Sequence, residues 1–306
     1  MKTHSGTKPD PETRASRGSP SSSRAVAQVS FETAEAIPAP RLRPFVARYG
    51  AYRARAADLG TGRGFPSRYV TVMVGLGTPF QVEGAGSFTS FVAGLHERTV
   101  AVESTGIVAG IHLFIDPLAT RAVLGCPASE LANGVVSLAD VIGPRIDAEL
   151  HERLHEACTW NECFAVLDDV LQRKLVDGAL PREVGFAWAR ITAEQGRGRI
   201  EALATRIGWS RRHLTECFRH EVGITPKTLA RIARFEHACS LLRYRLGDLA
   251  GVAVTAGYHD QAHMTHEWQA LADCTPKAWI AQELPFLQDY EFIDPDPDAD
   301  SRRDSR

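Results

Sequence analysis

The apolar positions of the chain change period near residue 127. Between about residues 40 and 125 they form short β-branched runs, RYVTVMVGLG, GSFTSFVAGL, RTVAVES and TGIVAGIHLFI, most of them bounded by Gly or Pro. This spacing predicts hairpin-linked strands of a small sheet or barrel. After residue 127 the period becomes helical. SELANGVVSLADVIG and DAELHERLHEACTWNECFAVLDDVLQRKL set Leu150, Leu154, Cys158, Phe164, Leu167 and Leu171 at steps of three to four, apart from one wider gap. That stripe is expected to be core, with a dimer interface as the alternative. VDGALPREVG reads as a linker, and helical periodicity resumes over 182–284.

The resumed helices carry an internal repeat. His213-Leu214-Thr215 pairs with His263-Met264-Thr265, Phe218 with Trp268, and Thr225-Pro226-Lys227 with Thr275-Pro276-Lys277, all at an offset of 50. Upstream the offset falls to 49, where Leu203-Ala204 meets Val252-Ala253 and Gly208-Trp209 meets Gly257-Tyr258, so one extra residue sits in the second turn. Each copy reads as helix, glycine turn, helix, because a residue without a Cβ tolerates positive φ. Each Thr-Pro pair suits a helix start, Thr as cap and Pro at the first helical position. The copies are joined by TPKTLARIARFEHACSLLRYR, whose stripe of Ile232, Phe235, Cys239 and Leu242 contains no Gly or Pro. About 19 residues of helix make a rod of roughly 28 Å.

The second helix of the first copy is the most informative. Ser210 caps it, and Leu214, Cys217 and Phe218 share the face expected to be buried. Arg211, Arg212, Thr215, Glu216 and Arg219 share the other. Arg can bind both acceptors of guanine, Thr can contact a thymine methyl, and Glu can accept from cytosine. Two such helices on one rod would enter successive major grooves, about 34 Å apart on one face of DNA.

Composition leaves that reading open and closes others. Hydrophobic content of 44% and charged content of 24% are those of a soluble globular protein. No apolar run suits a membrane helix and no secretory signal is present, so a cytoplasmic location is expected. Cys126, Cys158, Cys163, Cys217, Cys239 and Cys274 include no CxxC and are read as small buried hydrophobes rather than disulfides or metal ligands. The net charge of −2 says nothing of nucleic acid, but its distribution does. Residues 197–245 hold eleven Lys and Arg against four acids, whereas residues 246–284 hold one Lys against five. The first unit therefore has the footprint of phosphate binding and the second lacks it. His259, His263 and His266 are read as polar surface rather than a zinc site, and His96, Glu97 and His112 lack the spacing of a metallo-enzyme motif. GLGTPFQVEGAG precedes no capped helix and is not a phosphate loop. No metal, cofactor or catalytic residue is expected.

LATRIGWSRRHLTECFRHEVGITPKTLARIARFEHACSLL, followed by AVTAGYHDQAHMTHEWQALADCTPKAWI, resembles the DNA-binding domain of AraC/XylS-type transcriptional regulators. The resemblance covers roughly residues 182–284. It implies base-reading positions at Arg212, Thr215 and Glu216 in the first unit and at Gln261, Thr265 and His266 in the second. The chain departs from the family where His266 replaces a basic residue, Trp268 a Phe and Asp273 a Gly. The N-terminal half resembles the cupin-like sensor domains of some members.

The expected fold class is thus α+β: a β-rich, cupin-like sensor domain followed by an all-α domain of two helix-turn-helix units on a long helix. The expected division is a disordered tail over 1–36, the sensor domain with its helical connector over 37–178, the helix-turn-helix domain over 182–284, and an acidic tail over 285–306. The expected function is a sequence-specific regulator binding double-stranded DNA as monomer or homodimer, with a small-molecule effector and RNA polymerase as further partners. The alternative is a ligand-binding or interaction module whose helical domain contacts protein.

Overall fold

The alternating runs resolve into two antiparallel sheets in the computed structural model, which describes residues 31–55, 61–176, 181–244 and 248–282. The strands are β1 (Phe31–Ala36), β2 (Val46–Arg55), β3 (Thr61–Gly64), β4 (Val70–Gly75), β5 (Phe80–Val82), β6 (Gly86–Phe88), β7 (Ser90–Ala93), β8 (Val100–Glu103), β9 (Ile107–Ile115) and β10 (Val135–Ser137). The larger sheet has the order β1-β2-β9-β4-β7-β10 and the smaller β3-β8-β5-β6. Strand alternation sorts side chains to the two faces of the larger sheet. Val70, Val72, Val74, Val92, Ile111 and Leu113 join the main core on one face. Met73, Phe91 and Val108 turn to the other, where they meet Phe80 and Val82 of the smaller sheet in a second core.

Two departures from the sequence reading concern strands. Phe31–Ala36, assigned to the tail, is strand β1, paired with β2 from Phe31 opposite Ala54 to Ala36 opposite Tyr49. SELANGVVSLADVIG, read as helical, contains β10, whose Val135–Ser137 pairs with Ala93–Phe91 at the sheet edge. Residues 1–30, 177–180 and 283–306 lie outside the described residues, so most of the expected N-terminal tail, part of the linker and the acidic tail are not described.

Short helices α1 (Thr120–Val123), α2 (Ala128–Leu131) and α3 (Leu138–Ile142) lead into α4 (Pro144–Glu156) and α5 (Trp160–Lys174). Thr159 and Glu162 form a reciprocal capping box that starts α5. Leu150, Leu154, Phe164 and Leu167 are buried in the main core, which answers the core-or-interface alternative for those residues. Cys158 stands outside the stripe, exposed between α4 and α5. Tyr49 stacks on Phe164 with centroids 5.8 Å apart, and its hydroxyl donates to Asp168 Oδ1 at 2.9 Å, tying α5 to the sheet.

The C-terminal helices are α6 (Arg182–Ala193), α7 (Ile200–Ile207), α8 (Arg211–Val222), α9 (Pro226–Tyr244), α10 (Leu249–Thr255), α11 (Gln261–Ala272) and α12 (Pro276–Gln282). Polar contacts from the β-rich domain reach both repeat helices and the helix between them. Ser67 Oγ and the Arg68 amide donate to Glu236 Oε1 on α9, and the Arg68 guanidinium lies 3.4 Å from the other carboxylate oxygen. Arg121 pairs with Glu221 at the end of α8 at 3.1 Å. Thr99 Oγ1 donates to the Leu271 carbonyl near the end of α11 at 2.9 Å. The ends of both repeat helices and the rod between them are thereby held by one domain.

Candidate nucleic-acid interface

The repeat read from sequence is a structural repeat. Gly208 and Gly257 turn the chain with φ of +82° and +88°, values that only glycine adopts without strain. The next residue in each copy donates its amide back to the first helix, Trp209 to Ala204 and Tyr258 to Ala253. Ser210 caps α8 by accepting from the His213 amide, and Asp260 caps α11 by accepting from the His263 amide at 2.7 Å. Those backbone bonds, with a contact from the His259 ring, hold the Asp260 carboxyl below its ordinary pKa, so the cap stays ionised. The extra residue of the second turn is accommodated at His259, whose amide donates to His263 Nδ1.

From Arg211 to His220 and from Gln261 to Ala270 the two helices have the same order of buried and exposed positions. Leu214 and Phe218 are fully buried, as are Met264 and Trp268. Each helix is held by that apolar side and presents the other. Thr215 Oγ1 donates to the Arg211 carbonyl at 2.8 Å, and Thr265 Oγ1 repeats the bond to Gln261 at 2.9 Å. A threonine whose hydroxyl is bound to its own helix leaves its methyl as the group to offer a partner.

The predicted residues of the first unit lie together on the exposed face of α8: Arg211, Arg212, Glu216 and Arg219 are exposed and Thr215 half-buried, with Ser210 at the cap. Arg211 and Thr215 line an open groove with Arg199, Glu201, Thr225 and Lys227. Arg199 precedes α7 and Lys227 opens α9, so three helix starts bring cations to one place. Neither cation is among the contact residues expected from sequence; the signal that marks them is their place beside the helix starts. Glu216 is engaged: the Arg212 Nε–H donates to its Oε1 at 2.8 Å.

In the second unit Gln261 and His266 are exposed and Thr265 half-buried on the matching face of α11. The acidic charge there is largely structural. Asp248 and Asp260 cap α10 and α11, and Asp273 takes the left-handed position after α11 with φ of 52°. Glu267 accepts from Arg231 Nε at 3.2 Å and from Arg234 Nη2 at 3.1 Å, both on α9. Two of the cations counted for the first unit are therefore neutralised across the joint, and the charge difference between the outer faces is smaller than the sequence count.

Other titratable groups lie apart from these helices. Among the described residues no group of three or more His, Cys, Asp and Glu is arranged to hold a metal ion. Ser90 Oγ lies 2.9 Å from His151 Nε2, but Asp147 approaches that same nitrogen at 3.8 Å. An acid on the serine side of the ring does not orient the imidazole as a hydrolase triad requires. Ser90 is buried and accepts the Gly75 amide, so it is a strap between β4, β7 and α4. Between the two sheets His112 sits against Tyr52 and Phe114, where burial and the nearby Arg48 pull its pKa down to about 4.

Two capped helices with the same burial order, mounted on one connecting helix and with arginines on α8 alone, define a tandem helix-turn-helix protein. Residues 203–282 match a family model described as "Helix-turn-helix domain". Residues 203–282 are a helix-turn-helix domain of the AraC type. No curated protein sequence matches the chain. Among solved structures, the chain is similar to ToxT from Vibrio cholerae O395 at 11% identity and a TM-score of 0.45, over 83% of this chain and 98% of ToxT. Unsaturated fatty acid bound wild-type ToxT from Vibrio cholerae strain SCE256 gives 9% identity and a TM-score of 0.45, over 76% and 94%. The AraC-like transcriptional activator CuxR gives 14% identity and a TM-score of 0.26, over 71% and 87%. Among the described residues no helix is long and apolar enough to cross a membrane.

Proposed function

We propose that the chain is a sequence-specific transcription regulator of the cytoplasm that lays α8 and α11 into successive major grooves on one face of double-stranded DNA. The observation that carries this reading is the position-for-position match of α8 and α11 in cap, burial order and threonine orientation, on one uninterrupted helix. Arg199, Arg211, Arg219 and Lys227 neutralise phosphates, and Arg212 and Thr215 meet base edges with Glu216 beside them. In the second unit Gln261, Thr265 and His266 take the base-reading positions, and its weaker cationic face makes it the junior partner in affinity.

Control comes from the β-rich domain, through a small molecule or a protein such as RNA polymerase. Its contacts at Glu221, Glu236 and Leu271 support this, since a ligand that favours one docking arrangement shifts both units together. Those contacts connect a domain spanning residues 37–178, extended at its start by β1, to the domain over 182–284. One chain carries both units, so monomer and homodimer are each compatible with the mechanism.

The test is a footprint of the full-length protein on fragments of genomic DNA. The expected pattern is two protected patches about one helical turn apart, with affinity that falls steeply as salt rises. Equal affinity for every fragment and for bulk competitor would overturn the reading.

A further inference from the structure

The exposed face of α8 carries two kinds of arginine. Arg211 shares an open groove with Arg199, Lys227 and Glu201. Arg212, one position on, donates its Nε–H to Glu216 at 2.8 Å, one helical turn away. Both partners are solvent-exposed, the arginine at 88% and the glutamate at 56%, so the pair contributes little to stability. Its consequence is orientation and charge.

A guanidinium presents five donors in a rigid planar fork. With Nε–H directed to Glu216, the two terminal nitrogens remain as a parallel pair at the far edge. Such a pair matches two adjacent acceptors, which in the major groove are the O6 and N7 of guanine. A phosphate also offers two acceptors, but it would have to approach beside the Glu216 carboxylate. The pair carries no net charge, so a phosphate gains little from it, whereas a neutral base edge is not repelled. At the offset of 50 the second unit has Ala262 and His266 at these positions, so it lacks the pair.

We propose that Glu216 is a positioning residue that holds Arg212 edge-on to one guanine, so that the half-site of the first unit is built around a G·C pair. Glu216 is then not itself the reader of cytosine. This rests on the C-terminal domain binding DNA sequence-specifically.

The experiment selects duplexes from a random library at low salt with the full-length chain and with Glu216→Gln, Arg212→Lys and the double variant. The unaltered chain is expected to enrich one fixed guanine in one half-site. Replacing that guanine by 7-deazaguanine should weaken binding about tenfold or more. Glu216→Gln should keep or raise binding to bulk DNA while discrimination at that pair drops severalfold. In the Arg212→Lys background the further change Glu216→Gln should remove no preference for cytosine. A cytosine preference present in Arg212→Lys and lost in the double variant would show direct reading by the glutamate and overturn the proposal. Enrichment of duplexes with no fixed guanine in either half-site would overturn it too. Failure to enrich any duplex would instead remove the DNA-binding reading on which it stands.

Discussion

Glu267 offers the sharpest test of how the second unit is attached. Its carboxylate is 13% exposed and accepts from two arginines of α9, Arg231 at 25% and Arg234 at 17% exposure. Glu267→Gln keeps the shape of the side chain and removes the charge, leaving two guanidinium groups side by side without their shared counter-ion. Breaking a buried ion pair by altering one partner costs about 3–5 kcal/mol. Solvent reaches Arg231, and the amide oxygen still accepts one bond, so we expect about 2–3 kcal/mol here. Trp268 adjoins Glu267, is fully buried and lies 4.7 Å from Phe235 on α9, so it is the member of the chain's five tryptophans placed at the joint, and their fluorescence follows unfolding. Urea titration should show the unfolding free energy lowered by that amount, with the midpoint falling by it divided by the denaturant slope. In the DNA footprint the patch of the second unit should fade before that of the first. A stability within about 0.5 kcal/mol of the unaltered protein would refute the argument that this carboxylate clamps α11 to the rod.

Four further outcomes follow from single groups. Ser210→Ala removes the hydroxyl that caps α8 and should cost about 1 kcal/mol in chemical unfolding, with Asp260→Ala a comparable loss at α11. Gly223 has φ of +88°, and a Cβ there would fall 2.4 Å from Ala132 Cβ and 2.9 Å from Ser129 Cα, so Gly223→Ala should lower stability by about 1–3 kcal/mol and loosen the seat of α8 on α2 in hydrogen exchange. His112 has a folded pKa of about 4, below the ordinary imidazole value, so the unfolded chain takes up its proton first; stability should fall as pH drops from about 6.5 towards 4, by up to about 3 kcal/mol, and His112→Phe should flatten that slope in urea titrations. Burial also lowers the pKa of His96 and His151, so part of the slope survives in that variant. Arg211→Ala should weaken binding to all DNA sequences alike and reduce the salt dependence by about one counterion, as measured by salt titration of affinity.

The repeat was legible because its determinants are local. Glycine at a positive-φ turn, a polar cap and an apolar pair four residues apart are each written within one turn of the chain. The copies therefore align at offsets of 50 and 49 in the sequence itself, and all nine expected contact residues lie at the caps or on the outer faces of α8 and α11. Pairing between distant segments was less legible. β1 lies in a stretch whose composition resembles a solvated tail, and becomes a strand because β2 supplies its hydrogen bonds. β10 sits within a helical-looking run, and β7 provides its partner.

Charge shows the same division. The sequence alone determined how many acids and bases each unit holds, and the i to i+4 spacing of Arg212 and Glu216 was present in it. Only the tertiary structure decided which of them face outward. Arg231 and Arg234 turn inward to Glu267, Glu236 receives Ser67 and Arg68, and Arg199 and Lys227 converge on the groove beside Arg211. The reason is physical: a cap or a turn is satisfied by neighbours along the chain, whereas a half-buried charge needs a counter-charge, and which residue supplies it depends on how separate elements pack.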